Sequence, residues 1–432
     1  MKRSSLALLT ATLCLSACGP EPGDPKRQIG PHPYLPEIHQ YLLPPMHVVT
    51  NVGWGTAAPK VAPGLAIQSF ARGLKNPRSV YVLPNADVLA VESDGPGEPV
   101  SRPKQFVMNW IETKAHSSVK AGNRIVLLRD TNGDGVADMK TVFIDHLHSP
   151  FGVVLVGSDL YVANTDAVMR FPYKTGETQI AAPGSKLCDL PGGPIDHHWT
   201  KSLTASPDGT KLYAGVGSNS NITENGMEAE KERAAIWEID RATGAHRLYA
   251  TGLRNPNGLT FEPTTQKLWA VVNERDELGP DLVPDYMTSV KDGAFYGWPY
   301  SYYGQHIDPR VMPQRPDLVA KAIPPDYSLS SHVAPLGMVF NTGDNLPAKY
   351  RAGAFIGEHG SWDRPDLNGY KVVFVPFAGG RPSGMAQDVV TGFIDGNDAH
   401  GRPVGLALDG KGALLIADDV GGTLWRVTGA IR

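Results

Sequence analysis

Gly73-Leu74-Lys75-Asn76-Pro77 and Gly252-Leu253-Arg254-Asn255-Pro256-Asn257-Gly258 open with the same five-residue phrase, changed only by Lys for Arg. Each is followed by an apolar run, a polar turn and a closing strand-like stretch, Leu89-Ala90-Val91 after the first and Leu268-Trp269-Ala270-Val271 after the second. Four further segments share the rhythm and start at Pro150, Ser202, Pro335 and Pro403, most of them on Pro-x-Gly. Internal repetition of this kind marks a radial or solenoid array. The starts lie 52 to 79 residues apart, more than the roughly 40 to 50 residues of a four-stranded blade, so the surplus falls in loops. The expected fold is all-β, a six-bladed β-propeller with long top-face loops; a pair of β-sandwiches would leave the six echoes without a reason.

Alternating runs between the echoes fit third strands: Arg124-Ile125-Val126-Leu127-Leu128, Ala235-Ile236-Trp237-Glu238-Ile239 and Lys371-Val372-Val373-Phe374-Val375. Turns are expected at Asp208-Gly209, Thr243-Gly244 and Asp409-Gly410, where Asp and Gly supply turn hydrogen bonds and positive φ. The run Gly64 to Phe70 precedes the first echo, and Thr423 to Val427 ends the chain. If both join one blade, the ring closes and no sheet edge stays open.

Formal net charge is −4 over 432 residues with no basic stripe, so no nucleic acid is expected as a partner. Met1-Lys2-Arg3 and the apolar run from Leu6 to Leu15 read as a secretory leader ending in Leu15-Ser16-Ala17-Cys18, which resembles a bacterial lipobox. The expected organisation is a lipoprotein signal peptide over 1–17, a Pro-rich tether and wrapping arm over 18–63, and a catalytic propeller over 64–432. The protein would then sit on the bacterial cell envelope, lipid-anchored at Cys18 and facing the periplasm or the exterior, touching the membrane by its lipid anchor only. Ten prolines stand between Pro20 and Pro63, which suits an extended arm. Cys188 has no partner once Cys14 and Cys18 are assigned to the leader.

Top-face positions carry the candidate chemistry. His198, in Asp196-His197-His198-Trp199, falls in the loop leading to an innermost strand, where an imidazole can take a proton from a substrate hydroxyl; the doublet leaves open which ring faces the site. Arg254 and Asn255 hold the comparable place one repeat later, and Arg402 precedes Pro403. Converging guanidinium groups suit a planar polyanion. Arg78 and Arg364 have weaker claims on the same cavity. Asp130-Thr131-Asn132-Gly133-Asp134-Gly135 with Asp138 has oxygen ligands and a glycine at Ca²⁺-loop spacing, but Thr141 stands where a bidentate Glu is usual. The cluster Phe295 to Tyr303 reads mainly as packing beneath a loop, with a sugar-stacking wall as the alternative. No dinucleotide-binding, Walker or nucleophile-elbow motif occurs.

With these residues in place, the chain resembles the soluble pyrroloquinoline quinone (PQQ)-dependent sugar dehydrogenases, nearest their sorbosone dehydrogenase-like branch, over about residues 64 to 429. The resemblance rests on Asp196-His197-His198 with Ser206-Pro207-Asp208-Gly209, on Gly252 to Leu259, and on Tyr296-Gly297-Trp298-Pro299. It implies a propeller holding PQQ over its channel on a Ca²⁺ ion, with oxidation of a small-molecule sugar or sugar-derived aldehyde and transfer to an unidentified electron acceptor. By position it implies His198 as base and Arg254, Asn255 and Arg402 as cofactor contacts. Backbone carbonyls of Arg275 and Asp276 would hold the Ca²⁺, although an insertion at Leu278 to Pro284 departs from the pattern. The family's cofactor lysine has no match, and His359 or Arg364 stands in its region. Two other classes remain: a Ca²⁺-centred propeller lactone hydrolase, and a non-catalytic propeller displayed as a membrane-anchored binding platform.

Overall fold

The computed structural model describes residues 23–40, 46–97 and 120–430. The leader, Cys18 and most of the loop from Asp94 to Gly122 lie outside the described residues. The described chain is all-β, built from six successive antiparallel sheets with four core strands each. Their first strands begin at Pro77, Gly152, Leu203, Asn255, Pro335 and Pro403, within two residues of the six echoes. The anticipated third strands are Arg124–Arg129, Ala235–Asp240 and Lys371–Ala378. The sixth sheet is closed by the early strand Leu65–Arg72, which pairs antiparallel with Thr423–Gly429. Among the described residues no helix is long and apolar enough to cross a membrane.

Glycine sets how closely the sheets meet. A Cβ on Gly152 would lie 2.7 Å from Lys201 O, one on Gly215 2.5 Å from Pro256 O, one on Gly258 2.8 Å from Met338 N, and one on Gly405 2.8 Å from Ser79 Cα. A Cβ on Gly337 would collide with Val404 O. Each contact joins one sheet to the next, and in all but Gly215 the glycine is that of Pro-x-Gly. Between the first and second sheets the link is a hydrogen bond from Leu155 N to Tyr81 Oη, 3.1 Å. The apolar core fills the spaces between the sheets, as in the cluster of Leu89, Val91, Leu127, Leu160 and Val162.

Strand direction gives the molecule two unlike ends. First strands run away from the end at which the echoes begin, and second strands return to it, as the pairings Pro77↔Glu92 and Pro403↔Asp418 show. Residues before first strands and after second strands therefore share one end. Among the described residues before 64, two short strands add to sheet edges. Ile29–Gly30 extends the fourth sheet and Lys60–Val61 the fifth. Trp54 packs edge-on against Trp425 with ring centroids 5.2 Å apart.

Two predictions follow from this packing. Gly405→Ala should lower the unfolding temperature sharply or prevent folding, because its Cβ meets backbone. Gly157→Ala, with nothing within 4 Å but φ at 62°, should cost only about 1 kcal/mol of backbone strain; equal thermal stability of the two variants would contradict the junction. Glu358, at the returning end of a second strand, is 2% exposed, and burial pushes its carboxyl from 4.5 up to about 8. Between these values the folded chain binds more protons than the unfolded one, so this group's contribution to stability falls as pH rises. Glu358→Gln should therefore gain on the wild type from pH 4 to pH 8 in urea unfolding; a constant difference would contradict it.

Candidate functional site

At the end where the echoes begin, polar side chains link sheet to sheet. His198 Nδ1 lies 2.9 Å from Ser218 O and 3.1 Å from Ser218 Oγ. Because the Ser218 hydroxyl donates to Ser220 O at 2.6 Å and a carbonyl only accepts, Nδ1 carries the ring hydrogen and Nε2 the lone pair. Burial, and then the nearby Arg254 charge, hold the His198 pKa well below 6.5. The ring is therefore a neutral base. His197 meets it edge-on, with centroids 4.5 Å apart.

Its loop is held from beneath. Arg233 bridges Asp196 Oδ1 at 3.0 Å and Gly217 O at 3.2 Å. Lys201, fully buried and pushed down to about 7 by burial, donates to Trp199 O at 3.1 Å. Gly217 leaves the room for His198: a Cβ there would strike His198 Cβ and come within 2.5 Å of Asn255 Oδ1.

From Ser218 the circuit continues through Arg254, whose carbonyl accepts from Ser218 N at 2.8 Å. The Arg254 guanidinium is 3% exposed and donates to Glu274 O at 2.7 Å, Asn221 Oδ1 at 3.0 Å and Asn221 O at 3.3 Å. It also stands 3.5 Å from Asp276 Oδ2. Asp276 Oδ1 lies 3.4 Å from His332 Nδ1, and Asp363 Oδ2 lies 3.2 Å from the same nitrogen. Two residues beyond His332, the Ala334 carbonyl accepts from His359 N at 2.9 Å.

His359 Nε2 is 2.9 Å from Asp419 Oδ2, while its Nδ1 faces Arg402 Nη1 at 3.4 Å. Burial brings its pKa down to about 4. Arg402 lies over the Tyr370 ring, 4.9 Å from its centroid, and donates to Tyr370 Oη at 2.9 Å. Its backbone N–H is held at 2.8 Å by Asp418 Oδ1, and Asp418 Oδ2 accepts from the indoles of Trp54 and Trp425. Asp419 also pairs with Arg78, whose guanidinium lies 5.9 Å from the centre of the Trp199 ring. Trp199 follows His198, and the circuit is closed.

His198, Arg254, Asn255, Arg402 and His359 thus lie along one run of contacts at the same end of the sheets, with Arg254 and Arg402 in different parts of it. Arg364 does not join them. It is fully buried and clasps Asp281 Oδ1 at 2.9 Å and the Pro280 carbonyl, which makes it a fastener between loops. The Arg275 side chain pairs with Asp308 at 2.9 Å. The Asp276 carbonyl accepts from Asn221 Nδ2 at 3.2 Å, and it is the Asp276 carboxylate that faces other titratable groups.

Asp130, Asn132, Asp134 and Asp138 lie at the opposite end of the first sheet, between its third and fourth strands. Asp130 accepts from Gly133 N and Gly135 N at 2.7 and 2.9 Å, Asn132 from Asp134 N at 2.9 Å, and Asp138 from Thr131 Oγ1 at 2.7 Å. These oxygens serve the turn itself. Tyr296, Trp298, Tyr302 and Tyr303 are buried, which agrees with packing rather than a sugar wall. Ser218, Asn221, His332, Asp363 and Asp419 were not anticipated, since each takes its meaning from a partner in another part of the chain.

A family model described as Glucose / Sorbosone dehydrogenase matches residues 158–361, and one described as TrAA12-like matches residues 316–430. The PQQ-dependent pyranose dehydrogenase of Coprinopsis cinerea is 26% identical over 301 residues, which is 54% of this chain and 40% of that protein. The holo PQQ domain of the Coprinopsis cinerea pyranose dehydrogenase superposes with a TM-score of 0.69 at 19% identity, over 88% of this chain and 100% of that one. A calcium structure of the Trichoderma reesei AA12 enzyme gives 0.70 at 20% identity, over 88% and 99%. These likenesses establish a fold of the sugar dehydrogenase propeller type. The glucose/sorbosone dehydrogenase match, over residues 158–361, is a likeness to the same family that the sequence motifs resemble.

Proposed function

We propose that the chain is a PQQ-dependent oxidoreductase that oxidises a sugar or sugar-derived aldehyde, with its six sheets forming the blades of one propeller and the long loops of one end forming the site. The observation that carries this reading is His198, a neutral imidazole with Nδ1–H tied to Ser218 O and Nε2 left as the proton acceptor. PQQ, when bound, supplies the two-electron acceptor.

The residues present fit such a group. PQQ is a planar polyanion, and Arg78, Arg254 and Arg402 all stand at this end of the sheets. Asp276 and Asp419 offset part of their charge. His332, raised to about 9 by its carboxylate neighbours, adds to it, while burial raises Asp363 to about 8 and keeps it neutral. The rim is left net positive. Arg402 Nε and Asn255 Oδ1 are buried without a hydrogen-bond partner, and an unmet buried polar group costs about 1–3 kcal/mol. Arg402, Arg254 and Asn255 would hold the cofactor, with His359 fixing Arg402 between Asp419 and Tyr370. His198 removes the hydroxyl proton at Nε2, and the Arg254 charge favours the alkoxide that proton loss creates.

Ca²⁺ on the Arg275 and Asp276 carbonyls fits less well. The carbonyls of Glu274 and Asp276 already accept from Arg254 and Asn221. No step is assigned to that ion. The same proposal keeps the protein on the cell envelope by a lipid on Cys18, with the arm before residue 64 as tether and wrap, and an electron acceptor outside the chain.

The test is dye reduction by purified protein supplied with PQQ and a panel of aldoses and ketoaldehydes. His198→Ala should lower turnover by about a hundred- to ten-thousandfold and leave PQQ binding, followed by absorbance titration, intact; unchanged turnover would remove His198 from the reaction. Because His198 stays unprotonated well below pH 6.5, the wild-type kcat/KM profile should show no acid limb centred near 6.5. A limb there that His198→Ala abolishes would refute the charge state derived above.

A further inference from the structure

Asp276, His332 and Asp363 come from three separate top loops, after the second and fourth strands of the fourth sheet and the second strand of the fifth. One potential ligand atom from each lies within 4.8 Å of the other two. His332 Nε2 is 3.2 Å from Gly279 O, an acceptor, so Nε2 carries a hydrogen and the imidazole presents Nδ1 inward. A backbone carbonyl on the far nitrogen is the usual support of a metal-bound imidazole. Nδ1 meets carboxylate oxygens at 3.4 and 3.2 Å. Ligand atoms about 2.1 Å from a common ion stand roughly 3.0 Å apart in octahedral and 3.4 Å apart in tetrahedral geometry.

The two carboxyl groups that face Nδ1 call for a cation between them, which in the metal-free chain is the proton His332 carries. A proton on Nδ1 meets that need only in part, because Asp363 Oδ1 remains without a hydrogen-bond partner although Asp363 is 3% exposed. A metal ion would displace the protons on His332 and Asp363 and engage both residues. Asp276 leaves a way in, its side chain being 23% exposed.

We infer that Asp276, His332 and Asp363 form a divalent-metal site for a first-row ion of the Mn²⁺ to Zn²⁺ kind, with coordination positions open toward the mouth. One imidazole nitrogen with two carboxylates selects such an ion over Ca²⁺, which prefers six to eight oxygens. The backbone supports the placement: Ser330, His332 and Ala334 have φ of 85°, 59° and 51°, and Ala334 N is held at 2.8 Å by Asp285 Oδ2. This site is separate from the Asp130 to Asp138 turn and does not depend on the quinone reading.

The test uses the full chain, stripped with chelator and free of PQQ, titrated with Zn²⁺, Mn²⁺ and Ca²⁺ separately by calorimetry, with bound metal counted by elemental analysis. One Zn²⁺ or Mn²⁺ per chain is expected. His332→Gln and Asp363→Asn should each weaken binding by at least about tenfold, Asp130→Asn should not, and circular dichroism checks that each variant is folded. If the two buried variants do not fold, Asp276→Asn, whose side chain is partly exposed, carries the same expectation. No stoichiometric uptake, uptake that survives these substitutions, or uptake of Ca²⁺ alone would overturn the site. Failure of dye reduction with PQQ would leave this result untouched.

Discussion

Backbone meets backbone where neighbouring sheets approach, and the rest of the structure depends on that contact. Gly152, Gly215, Gly258, Gly337 and Gly405 each occupy a position where a Cβ would strike the next sheet. Closer approach brings the starts of the first strands together at one end. Because those strands all begin there, residues distant in sequence become neighbours without any long-range motif. The closing strand Leu65–Arg72, paired with Thr423–Gly429, joins the start of the sheet series to its last sheet and holds the contacts in register.

What gathers at that end is a polar circuit in which nearly every charge has a partner. Arg78 with Asp419, and both Arg254 and His332 with Asp276, keep buried ions from the cost of isolation. The exceptions are chemically informative. His198 Nε2, Arg402 Nε, Asn255 Oδ1 and Asp363 Oδ1 are capacities that the circuit leaves over, the first as a lone pair and the others as buried atoms without partners. A proton acceptor beside surplus positive charge suits oxidation of a hydroxyl on an anionic cofactor. The segment before residue 64 contributes as well: Trp54 donates to the Asp418 carboxylate that holds the Arg402 backbone, which ties that segment to the site.

The strand framework was legible in the sequence because it rests on local signals. Pro-x-Gly marks the first strands, alternation marks the third, and Asp-Gly marks the turns. His198 and Arg254 were legible through their fixed place just before a first strand. The fate of Arg364 was not, since its partner Asp281 lies in the inserted stretch where the family pattern breaks. Nor was the meeting of Asp276, His332 and Asp363, which come from loops with no shared motif and are joined only by how two sheets pack. The Asp130 loop shows the opposite limit: its spacing resembles a calcium loop, yet the same Asx residues satisfy the backbone of a tight turn.

The most direct test of the account is a crystal structure of the protein soaked with PQQ. The account predicts the quinone at the mouth of the ring, its carboxylates against Arg254 and Arg402, with His198 Nε2 facing the space beside it. PQQ seated elsewhere, or His198 Nε2 turned away and bonded to protein while the cofactor is in place, would contradict it.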